Sequence, residues 1–91
     1  MNGKKIAKIY KYTAIFEPAE EGGYIVSVPT LPGCVTQGET FEDAVVMARD
    51  AIDGYIEVLK DNDEEIPVEK DGLVITEIFV ENKDKKLAYV K

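Results

Sequence analysis

Hydrophobic and polar positions alternate near the start of the chain in the way that predicts a β-hairpin. Over residues 8–17, KIYKYTAIFE, aromatic and β-branched side chains recur at every second position, which is typical of a strand. The following PAEEGG interrupts the alternation, and Gly22 and Gly23 suit a turn with positive φ. Tyr24–Val28 is a second strand that ends at Pro29, because proline has no N–H to donate. We therefore predict an antiparallel hairpin.

The next segment predicts a short third strand and then an amphipathic helix. Val35–Gln37 has the strand pattern, and Thr40 is a good N-cap with Asp43 three residues later. We expect the helix to end near Lys60, since Pro67 blocks its continuation. Apolar residues at spacings of three and four form one broad stripe along it, namely Phe41, Ala44, Val45, Ala48, Ala51, Ile52, Tyr55 and Leu59.

Strand-like sequence returns after the helix. Leu73–Glu81, LVITEIFVE, predicts a further strand, and residues 82–91 are either a basic tail or contain a short final strand over Leu87–Val90. The order β-β-β-α-β predicts an α+β fold in which one helix packs on one face of an antiparallel-type sheet. Because one helix covers only one face, we expect the opposite face, with Ile9 or Ile15 among its apolar residues, to meet a partner chain.

The composition is that of one small folded domain. The chain has 91 residues, 45% hydrophobic and 32% charged, and residues 1–91 are predicted to form a single domain with its core at about 8–81. No apolar run approaches the roughly 20 residues of a membrane span, so no membrane contact is expected. The one cysteine, Cys34, excludes an intrachain disulfide and suits a reducing cytoplasm.

The net charge of −7 is unevenly distributed along the chain. Residues 1–16 carry four lysines and no acid, residues 17–81 carry seventeen acids against three basic residues, and residues 82–91 are again basic. An acidic body repels the phosphates of nucleic acids and attracts a basic protein partner. The alternative is that the acids only keep a small domain soluble. Charge alone does not decide between these interpretations.

No set of residues predicts catalysis, a metal or a cofactor. A two-metal nuclease needs several carboxylates that converge from different strands, whereas apart from Glu77 most acids here fall in turns or on the outside of the helix. The chain has no histidine to activate Cys34, which is therefore predicted to be a buried packing residue. The glycines form neither a dinucleotide-binding nor a phosphate-binding loop. We predict that the protein is not an enzyme.

The string at residues 22–44, GGYIVSVPTLPGCVTQGETFEDA, is the most distinctive part of the chain. Together with the helix and the following EEIP, it resembles the HicB-like antitoxin family. The matching positions are Tyr12, Gly22, Gly23, Tyr24, Pro29, Leu31, Pro32, Gly33, Thr36, Gly38, Thr40, Ala44 and Pro67. The resemblance implies a β-β-β-α-β domain of partially degenerate RNase H-like topology, assembled as a dimer or tetramer.

The same resemblance implies a role as the antitoxin of a type II toxin–antitoxin system. Its partner is then a small basic HicA-like toxin that cleaves mRNA, and the antitoxin sequesters it by covering its active surface. Many relatives append a DNA-binding module, but no second helix is predicted after Leu73, so no direct DNA binding is expected. Two alternatives stay open: a solitary oligomeric module without a toxin, and a residual RNase H-like nuclease.

Contact residues for the partner are predicted in the loop and at the start of the helix. They are Tyr24, Leu31, Pro32, Glu39 and Glu42, and for Leu31 the prediction requires an exposed side chain. Glycine and proline at the density of this segment hold the backbone on a particular path, which suits a shaped surface. The alternative is that they only set the turn from hairpin to helix.

Overall fold

Three strands and one helix make up the regular structure of the described part of the chain. The computed structural model describes residues 9–82. The strands β1 (Ile15–Pro18), β2 (Tyr24–Ser27) and β3 (Val35–Gly38) precede the helix α1 (Phe41–Asp61). The strands form an antiparallel sheet in the order β1-β2-β3. The α+β class, the hairpin, the third strand and the helix are therefore confirmed.

Strand β1 is shorter than the alternation of the sequence predicted. The register pairs Ile15 with Ser27, and continuing it places Thr13 opposite Pro29. Proline has no N–H for a ladder, and it ends the neighbouring strand. The predicted strand is thus wrong for the described residues before Ile15, because β2 stops before it can pair with them.

The helix begins where the capping pattern predicted. Thr40 has an extended backbone, and its hydroxyl accepts a hydrogen bond from the Asp43 N–H at 3.0 Å. This bond satisfies one of the N–H groups that have no partner within the first helical turn. The helix ends at Asp61, one residue beyond the predicted end near Lys60.

The first part of the core lies between β2 and the first half of the helix. Val26 of β2 packs with Ala44 and Ala48 of α1, and all three are buried. Phe16 and Tyr24 pack against this group from its edge. The small alanine side chains let the helix lie close to the sheet, so that the few large side chains of the strands fill the space between them.

The second part of the core comes from the loop between β2 and β3. Backbone hydrogen bonds join the Leu31 N–H to the Val28 carbonyl at 3.0 Å and the Cys34 N–H to the Leu31 carbonyl at 2.9 Å. These three side chains form a buried cluster against Ile52 and Tyr55 of the helix. The loop therefore folds inward, and it contributes core rather than surface.

Two glycines let β3 approach its neighbours more closely than any other residue would allow. A Cβ atom on Gly38 would lie 2.4 Å from the Ala44 nitrogen, and one on Gly23 would lie 2.4 Å from the Gly38 carbonyl oxygen. Gly23 also has a φ of +78°, which disfavours other residues. Because the obstructing atoms are backbone, they cannot move aside as a side chain would. Part of the glycine density at residues 22–44 thus has a packing reason.

The sheet face opposite the helix carries apolar side chains. Since Phe16 and Val26 face the helix, the alternate residues Ile15, Ile25 and Val35 point to the other side. Their side chains are 36–59% exposed. The expectation of an apolar face that the helix leaves uncovered is confirmed, whereas the partner chain that would cover it stays a prediction.

The strand predicted over Leu73–Glu81 is not formed. None of the described residues after the helix, 62–82, belongs to a strand, and residues 73–81 are all exposed. A strand is held by backbone hydrogen bonds to a neighbouring strand, and no ladder joins this segment to β1 or β3. The predicted final strand at Leu87–Val90 lies outside the described residues.

Candidate partner-binding surface

A groove runs between the hairpin turn, the end of β3 and the first turns of the helix. We call it the acidic groove and define it by Glu21, Tyr24, Glu39, Asp43, Val46 and Met47, which lie along its walls. Glu21 comes from the hairpin turn, Tyr24 begins β2, and Glu39 directly follows β3. The helix contributes Asp43, Val46 and Met47. The groove therefore exists only because the antiparallel pairing brings the turn beside the helix start.

Tyr24 is held in this groove by a cluster of aromatic rings. Its ring lies edge-on to Phe16, with centroids 6.4 Å apart, and edge-on to Phe41, with centroids 6.0 Å apart. The rings of Phe16 and Phe41 are themselves 4.9 Å apart. Edge-to-face pairs at these distances are favourable and restrict ring motion. Tyr24 thus forms a rigid part of the groove wall, with one side available to a partner.

The groove combines exposed apolar side chains with negative charge. Val46 and Met47 are 53% and 43% exposed, although they lie on a helix whose core-facing side is elsewhere. Glu21, Glu39 and Asp43 surround them, and none of the described residues that line the groove is basic. Such a surface attracts a cationic partner by charge, and it can hold that partner by burial of apolar area.

The predicted contact residues do not form one surface. Tyr24 and Glu39 line the acidic groove. Glu42 is exposed in the first turn of the helix, one residue before Asp43 of the groove. Pro32 is exposed elsewhere, where its carbonyl accepts a hydrogen bond from the Tyr55 hydroxyl at 2.8 Å. Tyr55, which binds Pro32, lies nine residues after Val46, about 14 Å along the helix axis at 1.5 Å per residue. Pro32 is therefore separated from the acidic groove by this distance along the helix.

Leu31 does not meet the condition on which its prediction depended. Its side chain is 0% exposed and packs with Val28 and Cys34 beneath the loop. A partner cannot reach it in this conformation. Leu31 is therefore an anchor of the loop, and we remove it from the contact surface. The glycine and proline residues around it turned the chain inward rather than presenting it to solvent.

Four residues of the acidic groove were missed by the reasoning from sequence. They are Glu21, Asp43, Val46 and Met47. The last two carried a usable signal, because they are apolar residues outside the apolar stripe of an amphipathic helix. The two acids carried no such signal, since nothing local distinguishes them from other charged residues in turns and at helix starts.

Cys34 and the acidic side chains are the candidate reactive groups among the described residues. Cys34 is buried, and burial raises the pKa of its thiol, which disfavours the reactive thiolate. No group of three or more Cys, Asp or Glu side chains in residues 9–82 is placed to hold a metal ion. Within the same residues, no helix is long and apolar enough to cross a membrane.

Comparison with known proteins connects this arrangement to a family. The profile described as the HicB-like antitoxin of bacterial toxin–antitoxin systems matches residues 12–89, most of the chain. The chain belongs to the HicB-like antitoxin family. The match begins at Tyr12 and includes the hairpin, the buried loop, the helix and the segment that follows it.

The similar proteins differ in the share of their own length that this chain matches. A UPF0150 protein of Thermoplasma acidophilum is 51% identical over 63% of this chain and 83% of its own length. A UPF0150 protein of Synechocystis is 40% identical over 80% of this chain and 90% of its own length. Antitoxin HicB 1 of Photorhabdus laumondii is 44% identical over 69% of this chain, but the match spans only 41% of that antitoxin.

Proposed function

We propose that this protein is an antitoxin that sequesters a small basic HicA-like toxin, an mRNA-cleaving protein of the cytoplasm, by covering the toxin's active surface. It acts by binding and carries out no reaction. The observation that carries this proposal is the acidic groove, in which exposed Val46 and Met47 are surrounded by three carboxylates. Membership of the HicB-like family supports the antitoxin role itself.

The two components of the groove contribute differently to binding. The carboxylates of Glu21, Glu39 and Asp43 attract a basic toxin over a distance of about 8 Å at physiological salt, so they mainly raise the association rate. Val46 and Met47 act only on contact, and their burial slows dissociation. Tyr24 stays in place through its aromatic neighbours, so little conformational entropy is lost when a partner packs on it.

The test is first to search the genes that adjoin the gene of this chain for a small basic protein, and then to measure its binding to this chain. We expect Val46→Asp to weaken the complex by at least about tenfold, chiefly through faster dissociation. The double variant Glu21→Lys, Glu39→Lys should slow association, and the difference from the unchanged protein should shrink as salt is raised. Surface plasmon resonance at two salt concentrations separates the two rates.

Matched control variants come from the exposed part of the helix away from the groove. Glu57→Lys and Val58→Asp change the same residue types at exposed positions that do not line it. They should leave both rates within about threefold, as expected for surface positions outside an interface. The proposal fails if no complex forms, if growth arrest by the neighbouring protein is not relieved, or if the controls weaken binding as much as the groove variants.

A second candidate function is that of a solitary oligomeric module without a toxin. The exposed Ile15, Ile25 and Val35 on the outer face of the sheet favour it, because a dimer or tetramer could cover them. Absence of a small basic neighbour in the genome, together with a stable oligomer in solution, would select this alternative over the antitoxin.

A further inference from the structure

The two edges of the sheet differ in the backbone groups that they present. In the order β1-β2-β3, each outer strand pairs with a neighbour on one side only, as far as the described residues go. The open side of such a strand carries N–H and carbonyl groups that can pair with a strand of another chain. Which of these groups point outward, and what lies beside them, decides whether an edge can accept a further strand.

The hydrogen bonds beside β3 show which of its backbone groups point outward. The Val28 N–H donates to the Cys34 carbonyl at 3.1 Å, so these two residues are a bonded pair. Bonded and non-bonded pairs alternate along an antiparallel ladder. Thr36 therefore bonds to β2, whereas the N–H and carbonyl groups of Val35 and Gln37 point to the open side. Since both residues are exposed, β3 can pair with a further strand.

The open side of β1 is less suited to pairing. The Ala19 N–H donates to the Gly23 carbonyl at 3.0 Å, which makes this a bonded pair. By the same alternation, the backbone groups of Phe16 and Pro18 point outward. Pro18 has no N–H to donate, and a proline on an edge strand opposes the addition of another strand.

The chain just before β1 is also in contact with residues that follow the helix. The Tyr12 hydroxyl donates to the Pro67 carbonyl at 2.6 Å, and the Thr13 hydroxyl donates to the Glu69 carboxylate at 2.7 Å. The Thr13 N–H donates to the same carboxylate. Because Thr13 lies two residues before the first residue of β1, a strand that approached β1 would meet this contact. The edge that can accept a strand is therefore β3.

The acidic groove lies beside the open side of β3. Gln37 and Gly38 of the strand line it, together with Glu39, which directly follows them. Val46 and Met47 of the helix line it as well, and both are partly exposed. Side chains of a strand alternate between its two faces. Every second side chain of a strand added to β3 would therefore point to the side of the sheet on which the helix lies.

We propose that the partner of the acidic groove binds as an added β-strand along β3, and that one of its lysine or arginine side chains lies in the groove. The partner's backbone pairs with the outward groups of Val35 and Gln37. The methylene groups of its basic side chain pack on the apolar helix residues, and its charged end donates to the carboxylates. This inference rests on the proposed function, because it takes the partner to be the basic protein proposed above.

The charge of the groove selects the kind of strand that fits. Its walls carry the carboxylates of Glu21, Glu39 and Asp43, and none of the described residues that line it is basic. The β3 strand of a second copy, VTQG, has no lysine or arginine that could enter the groove. Pairing of two β3 edges would satisfy the backbone groups and leave the carboxylates without a cation. A strand from a basic protein satisfies both.

The first test is amide hydrogen exchange of the full chain, measured by nuclear magnetic resonance with and without the small basic protein. We expect the amides of Val35 and Gln37 to exchange at least about tenfold more slowly in the complex, because they gain carbonyl partners. The amide of Phe16 is the matched control, since it points outward from the opposite edge. It should exchange at the same rate in both samples.

The second test removes one of the outward N–H groups. Gln37→Pro leaves the ladder to β2 complete, because the Gln37 N–H points away from β2. We expect it to weaken the complex at least about tenfold. Gln37→Thr changes the same side chain but keeps the N–H, and it should bind at least about tenfold more tightly than Gln37→Pro. Circular dichroism verifies that both variants fold, and if Gln37→Pro does not, the exchange measurement decides.

The exchange measurement can overturn this inference while the proposed function stands. A complex in which Val35 and Gln37 exchange as fast as in the free chain, or in which only Phe16 is protected, excludes strand addition to β3. Protection that develops in the free chain as its concentration rises shows that a second copy occupies the edge, which also excludes it. If the basic protein forms no complex at all, the proposed function and this inference fail together.

Discussion

The loop between β2 and β3 and the segment of residues 73–82, which we call the C-terminal arm, show how little hydrophobicity alone decides burial. The loop has a modest apolar content with two prolines and a glycine, yet Val28, Leu31 and Cys34 become part of the core. The arm has six large apolar residues, and all of them are exposed. The two regions differ in the elements that they contact. The loop packs against the helix, whereas no strand of the described chain pairs with the arm.

The comparison shows that contacts between residues far apart in the sequence determine which apolar residues are buried. Leu31 turns inward because hydrogen bonds within residues 28–34 bend the loop, and Tyr55 then donates to Pro32 from the helix. The arm has comparable or greater strand propensity, but a strand without a neighbour leaves its backbone groups unpaired. Four predictions test how firmly this distinction holds, beginning with the largest effect.

Leucine-to-alanine substitutions in the two regions should change the free energy of unfolding by very different amounts. Leu31→Ala removes a completely buried side chain, and we expect a loss of about 2–5 kcal/mol in the free energy of unfolding. Leu73→Ala changes an exposed side chain, so we expect a loss of no more than about 0.5 kcal/mol. Urea denaturation measures both. Similar losses would abolish the distinction between loop and arm.

Two glycines allow a matched test of close packing against open space. In Gly38→Ala the new Cβ would meet the backbone of Ala44 at 2.4 Å, and we expect a destabilisation of about 1–3 kcal/mol. In Gly54→Ala the new Cβ would meet nothing within 4 Å, and helix propensity predicts a stabilisation of roughly 0.5–1 kcal/mol. Thermal unfolding followed by circular dichroism gives the sign of each. A stabilising Gly38→Ala would contradict the close approach of β3 to the helix.

The helix cap should contribute less than either packing effect. Thr40→Ala removes the hydroxyl that accepts from the Asp43 N–H, and we expect a loss of about 1 kcal/mol. Thr40→Ser keeps an acceptor and serves as the control, with stability close to that of the unchanged protein. A loss as large as that of Leu31→Ala would mean that the helix start, rather than the buried loop, dominates the stability of the packed region.

The smallest effect concerns the contact between Thr13 and Glu69. It holds the connection between the helix and the arm, residues 62–72, against the domain. Hydrogen bonds from the Thr13 N–H and hydroxyl lower the pKa of Glu69 below its ordinary value of 4.5. The charged form is thus favoured in the folded protein, so this contact is fully present above the ordinary carboxyl pKa. Its contribution is lost as pH falls through the lowered pKa.

Two nuclear magnetic resonance experiments test this contact. The pKa of Glu69 should rise towards its ordinary value in Thr13→Val, which removes one of the two donors. At neutral pH, Glu69→Gln should increase hydrogen exchange at the Thr13 amide severalfold, whereas Glu65→Gln, which changes an exposed acid outside this contact, should not. Unchanged exchange in Glu69→Gln would show that the connection is held by Tyr12 and Pro67 instead.

The acidic groove shows which part of a proposed binding surface can be read from a sequence. Tyr24 and Glu39 were predicted from the density of glycine and proline and from the helix start, and both line the groove. Glu21 was not predicted, because its proximity to Val46 depends on how the hairpin turn packs against the helix. Leu31 was placed wrongly for the same reason, since local residue types do not reveal whether a loop turns inward.

The sequence by itself determined the local elements of this protein. Alternation predicted the hairpin, spacing of three and four predicted the helix, and Thr40 predicted where the helix begins, because each depends on neighbours only a few residues away. Tertiary structure alone decided that β1 starts at Ile15, that Leu31 is buried and that the arm is unpaired. These features depend on which segments meet in space. Bringing together segments that are far apart in the sequence costs loop-closure entropy, so local residue preferences do not decide which segments meet.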